Sequence, residues 1–135
     1  MKKIGYIVDN LEPNQINFEI FQIEEGFIFV KELTRTFQSI RACVMDISEI
    51  WGFDDGTLIA TSVDTALFLQ KCICNSKKIV YLYDYEDLKN YDRDLILNLL
   101  NDKSLTIKVR SDFYRQRMLK EFGREVEVDE ILRID

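Results

Sequence analysis

The side chains best able to do chemistry fall in short polar stretches that each follow an apolar run: Asp9-Asn10, Asp46 to Ser48, Thr61-Ser62, Asp84 to Glu86 and Arg110 to Asp112. Asp9, Asp46, Asp84 and Glu86 are carboxylates that, if gathered, can act as general bases or hold a divalent cation. Carboxylates in such positions also serve as turn formers and helix caps. Thr61-Ser62 offers two hydroxyls at a helix start, where unpaired backbone N–H groups suit an anion. The same pair is what any helix start favours. Arg110-Ser111 sets a guanidinium beside another helix start, a combination suited to clamping an anion. The basic residues that follow, Arg115, Arg117, Lys120 and Arg124, read as a solvated face.

Composition removes other chemistries. The 135 residues include no histidine, which excludes Ser-His-Asp and Cys-His nucleophilic machinery and the common zinc constellations. The three cysteines, Cys43, Cys72 and Cys74, lack metal-ligand spacing and read as buried small hydrophobes. No G-x-G-x-x-G and no P-loop lysine accompany Thr61-Ser62, so no cofactor is expected and neither dinucleotide nor nucleoside triphosphate binding has a motif. A net charge of −6 argues against broad binding to a nucleic-acid backbone. No apolar run approaches the roughly 18 residues of a membrane span, and the start, MKKIGYIVDN, lacks the features of a signal peptide. The expected setting is the cytoplasm.

These polar stretches need strands and helices to position them. Gly56 to Asp84 reads as one strand–helix–strand crossover: the run Thr57 to Thr61, then Val63, Ala66, Leu67, Leu69 and Ile73 at helical spacing after the cap Ser62, then the strand Ile79 to Tyr83. Upstream, Lys3 to Val8 is a strand, and Asn14 caps a helix from Gln15 that stops near Gly26. Phe27 to Val30 and Ala42 to Asp46 are further strands, a brief helical turn follows over 46–50, and 31–41 carries no assignment. Downstream, Leu88, Tyr91, Leu95, Leu99 and Leu100 predict one helix over 85–101, and Leu105 to Val109 a strand. Ser111 caps a last helix that ends at Gly123; Glu125 to Val128 is an edge strand and Ile131-Leu132 an apolar anchor. Tyr81, Tyr83 and Tyr85 read mainly as sheet covering, with Tyr85 projecting toward the strand-end crevice.

This alternation predicts a single α/β domain, three-layered and doubly wound around a mainly parallel sheet. In such sheets ligands bind beyond the carboxyl ends of the strands, at the switch in strand order, so the polar stretches above should share one edge. Asp46 after Ala42-Cys43-Val44-Met45 has the look of a response-regulator phosphoacceptor. Only fifteen positions separate it from Thr61, too few for the intervening helix and strand, and no Lys-Pro closes a later strand.

Taken together, Ile4-Gly5-Tyr6-Ile7-Val8-Asp9-Asn10, Asn17-Phe18-Glu19-Ile20-Phe21, Ile47 to Asp54, Leu58-Ile59-Ala60-Thr61-Ser62, Val80 to Glu86 and Val109-Arg110-Ser111 resemble the N-terminal Rossmann-like half of glycosyltransferase-like proteins encoded by T4-like bacteriophages. The similarity runs from about Lys3 to Arg124. It departs at Tyr83-Asp84-Tyr85-Glu86-Asp87, where the family pattern is closer to tryptophan-aspartate-leucine-glutamate-tryptophan. The resemblance implies a viral, two-domain fold of the GT-B type, whose N-terminal half recognises the acceptor while the C-terminal half holds most of the nucleotide-sugar. It further implies that Asp9, Asn10, Thr61, Ser62, Asp84, Glu86, Arg110 and Ser111 line the acceptor side. The second half would come from a partner chain or a second copy. The other expectation is a non-catalytic phage accessory module that keeps the scaffold to bind a protein.

Overall fold

The computed structural model describes residues 3–32 and 40–129. Among them the strands are β1 (Ile4–Val8), β2 (Phe27–Val30), β3 (Cys43–Asp46), β4 (Thr57–Ala60), β5 (Lys77–Leu82), β6 (Leu105–Val109) and β7 (Glu127–Val128). They form one sheet in the order β3-β2-β1-β4-β5-β6-β7, with every neighbouring pair parallel. This is a Rossmann-like α/β architecture, and the order reverses between β1 and β4. Ile7 lies there, in register with Phe29 on one side and Ala60 on the other.

The helices are α1 (Gln15–Phe21), α2 (Val63–Lys71), α3 (Arg93–Leu100) and α4 (Asp112–Phe122). Crossovers in a parallel sheet share one hand, so connections running outward in opposite directions put their helices on opposite faces. The burial follows this rule. Ile20 and Phe21 of α1 pack with Val8, Ile28 and Val30. Val63, Ala66 and Leu69 of α2, Ile96 and Leu99 of α3 and Met118 of α4 pack with Ile7, Leu58, Val80, Leu82 and Ile107 on the other face. Both faces of the central strands are thereby covered, which is why those strands are continuous apolar runs.

Each helix begins where its cap dictates. Asn14, Ser62 and Ser111 are extended residues whose side chains accept the backbone N–H groups of Asn17, Thr65 and Tyr114. Gly123 closes α4 in the left-handed region at φ 68°, a conformation glycine adopts without a Cβ clash.

Several expectations are corrected. The single helix over 85–101 is two elements, a 3-10 helix Tyr85–Asn90 and α3, because Tyr91 is extended and Asp92 caps a new start through the Asp94 N–H. The interruption rotates the buried face, so Ile96 is inside and Leu95 is exposed. The chain leaves α2 at Cys72, which is extended, and Ile73 is 88% exposed instead of lying on the helix face. The turn after β3 is a 3-10 helix that runs to Gly52, capped by Asp46. The first helix ends at Phe21, a turn before Gly26. The cysteines also divide: Cys43 on the edge strand is exposed, whereas Cys72 is buried and its thiol is pushed up to about 11 by that burial and by adjacent Cys74. Ile131 and Leu132, and most of 31–41, lie outside the described residues. No helix among the described residues is long and apolar enough to cross a membrane.

Candidate functional site

The ends of β1, β4, β5 and β6 open into a cavity of about 590 Å³ at the reversal of strand order. Asp9 and Asn10 line it from β1, Thr61 and Ser62 from β4, Asp84 from β5 and Arg110 from β6. The parallel register brings these positions to one edge, since each follows the last residue or two of its strand. Glu86 and Ser111 are not on its wall. Glu86 is ion-paired with Arg117 at 2.6 Å and with Lys89, which holds its carboxyl below the usual range, through Lys89 first and Arg117 second. Ser111 accepts the Tyr114 N–H at 3.4 Å as the cap of α4. Asp46, at the sheet edge, is also off this wall, and its carboxyl accepts both the hydroxyl (2.6 Å) and the backbone N–H (3.0 Å) of Ser48.

The residues on the wall differ in how free they are. Buried Thr61 donates its hydroxyl to the Ile7 carbonyl at 2.8 Å, tying β4 to β1 across the reversal. Thr65 Oγ1 receives the N–H groups of Thr61 and Ser62 at 3.1 and 3.0 Å, and Ser62 Oγ receives the Thr65 N–H at 3.2 Å. The hydroxyls of Thr61, Ser62 and Thr65 thus build the junction. Asp9 carries a pKa raised by partial burial; Asp64 and Asp87 push the same way, against the Ser62 hydrogen bond and the charge of Lys31. Lys31 itself is ion-paired with Asp64.

The wall residues not singled out as ligands by their sequence positions include Gln15, Asn17, Tyr83 and Asp87. Asn17 is buried and its amide donates to the carbonyls of Asn10 (2.9 Å) and Glu12 (2.8 Å), fixing the loop that carries Asp9 and Asn10. Asp87 accepts the Val63 N–H of the first turn of α2 at 3.2 Å. Nothing local signals that contact, because the partners are 24 positions apart. Tyr83 and Tyr85 exchange the places expected of them. Tyr83 lies on the wall with its hydroxyl 3.3 Å from Gln15 Oε1, while Tyr85 is buried, stacks on Tyr114 at 5.3 Å and donates to Glu121 at 3.1 Å. The bend that ends β5 sends Tyr85 into the 3-10 helix, whose inner side packs against α4.

Arg110 is the cation of this wall. Its guanidinium carbon stands 4.6 Å from the Tyr83 ring centre and 5.8 Å from that of Tyr114. A second cavity of about 190 Å³, between the 3-10 helix Tyr85–Asn90, α3 and α4, is lined by Leu88, Tyr91, Ile96 and Phe122, with Arg117 held by Glu86 and Glu121. Among the described residues, no group of three carboxylates or thiols converges as metal ligands do. The switch-point cavity is therefore an acceptor-rich cleft with one positive end, suited to binding hydroxyl groups. No family model, curated protein or solved structure matches this chain.

Proposed function

We propose that the chain is the acceptor-side half of a glycosyltransferase-like protein: the switch-point cleft holds a polyhydroxylated acceptor, and a second Rossmann-like domain or partner chain holds the nucleotide-sugar. The observation that carries this reading is the placement of Asp87. In nucleotide-binding sheets of this kind the helix start beside the reversal receives a phosphate. Here the Val63 N–H is already taken by the Asp87 carboxylate at 3.2 Å. A diphosphate at that point would meet negative charge. Asp9 and Asp84 add further hydrogen-bond acceptors to the same wall, which favour the hydroxyls of a sugar.

Thermal unfolding in the presence of a panel of neutral and acidic mono- and disaccharides tests the reading. A sugar present at about ten times its Kd should stabilise the chain by about 1.4 kcal/mol, and Asp84→Asn should weaken that effect. If no sugar moves the midpoint at saturating concentration, the reading falls. A non-catalytic interaction module is the second reading, favoured by Trp51, Ile73 and Phe113, large apolar side chains that are 63%, 88% and 66% exposed. Indifference to every sugar, with stoichiometric co-purification of one protein, decides for it.

A further inference from the structure

Among the described residues, Arg110 differs from the other arginines in having neither a carboxylate nor a carbonyl partner. Arg41 pairs with Glu24, Arg115 with Asp112 and Arg117 with Glu86 and Glu121. Arg93 and Arg124 donate to backbone carbonyls. The guanidinium of Arg110 instead stands near two aromatic rings, at 4.6 and 5.8 Å, on the wall of the cleft. Tyr83 is itself held by Gln15, so one of these rings is anchored before any ligand arrives. A planar donor pre-positioned in this way loses little freedom on binding an anion and matches the two oxygens of a carboxylate or phosphate.

The remaining charges on the wall are carboxylates, each partly engaged and each keeping lone pairs to accept further hydrogens. Asp87 accepts from Val63 and from the Asn90 amide, Asp84 caps the 3-10 helix through the Glu86 N–H, and Asp9 lies beside Ser62 and Lys31. The cleft is thus polarised, with carboxylates at the ends of β1 and β5 and, at the end of β6, a cation whose partners are the tyrosines Tyr83 and Tyr114 and which has no carboxylate partner among the described residues. We infer that its ligand is a polyhydroxylated molecule bearing one anionic group, a carboxylate or a phosphate monoester, which Arg110 binds while the carboxylates accept hydroxyl hydrogens. The inference rests on the acceptor-side reading above and narrows its substrate class. A second anionic group on the ligand would face Asp9, Asp84 or Asp87, and Lys31, the cation beside Asp9, is already ion-paired with Asp64.

Calorimetric titration of the chain with methyl glucoside, glucuronate, glucose 6-phosphate and inorganic phosphate tests this. Glucuronate or glucose 6-phosphate should bind about tenfold or more tightly than methyl glucoside. Arg110→Gln should abolish that preference, Arg110→Lys should restore part of it, and Arg115→Gln, on the outer surface of α4, should leave it intact. The ratio of acidic to neutral affinity in the unaltered chain needs no variant to fold, and the acidic sugar that shows the preference identifies the anionic group. Equal binding of neutral and acidic sugars overturns the inference and leaves the acceptor-side reading standing. Inorganic phosphate binding as tightly as glucose 6-phosphate also overturns it, because the hydroxyls then contribute nothing. Absence of binding by every sugar removes both.

Discussion

Asp9 shows how position changes the behaviour of a common side chain. The end of β1 partly buries its carboxyl, and that burial, reinforced by Asp64 and Asp87, outweighs the Ser62 hydrogen bond and the charge of Lys31 to raise its pKa. The unfolded chain holds that proton with an ordinary affinity, near 3.9. The folded state therefore binds the proton more tightly than the unfolded one, and stability falls as pH rises through the window between the two values. It stays lower at neutral pH. Asp9→Asn should accordingly unfold at a higher temperature than the unaltered chain at pH 7, and the gap should shrink at pH 4. Thermal denaturation of both proteins at the two pH values measures this, and a gap independent of pH would show that the carboxyl is not under that strain.

At the scale of elements, the junction between β4 and α2 is held by Thr65 more than by the residues around it. Its hydroxyl is buried, receives two backbone N–H groups and donates to the Ser62 carbonyl at 3.1 Å. Thr65→Val keeps the shape and strands both donors, so it should cost at least about 2 kcal/mol in urea unfolding. A loss under about 0.5 kcal/mol, typical of surface substitutions, would mean that the junction stands without it. The Thr61-Ser62 edge of the cleft depends on this junction, so the same variant should weaken any sugar binding. The helix predicted over 85–101 teaches a related point. Its apolar residues keep a helical spacing on paper, yet Asp92 offers a better cap than Tyr91 offers a continuation, and the restart moves Ile96 inward.

Across the whole molecule, a few side chains secure the far edge of the sheet, Arg124 with the most bonds among them. Arg124, just past α4, donates to the carbonyls of Leu100 (2.8 Å), Leu105 (2.7 Å) and Asp102 (3.3 Å), joining the turn between α3 and β6 to the connection into β7. Lys108 and Asp129 pair at 2.7 Å nearby, and the Tyr81 hydroxyl donates to the Asp129 carbonyl at 2.7 Å. Arg124→Met retains the apolar stem and leaves these carbonyls without their charged donor. It should destabilise the chain by about 2 kcal/mol, whereas Arg41→Met, at an exposed ion pair, should change it by less than about 1 kcal/mol. Denaturant midpoints of the two variants decide between an edge tied by Arg124 and one that pairs unaided.

The sequence by itself determined the strands, because strands covered on both faces must be apolar without interruption, and most helix starts, because Asn14, Ser62 and Ser111 satisfy N–H groups within their own first turn. It also determined that strand-end residues such as Asp9, Asp84 and Arg110 would fall on one edge, since parallel strands end together. Only the tertiary structure decided which of them remain open to a ligand. The Thr61 hydroxyl is directed to Ile7, Glu86 to Arg117, and Asp87 reaches the start of α2. These choices join residues 54, 31 and 24 positions apart, and a local pattern of apolar and polar residues carries no information about how α4 and the 3-10 helix pack. The placement of Arg110 beside Tyr83 and Tyr114 has the same reason: the end of β5 and α4 meet only in the folded sheet.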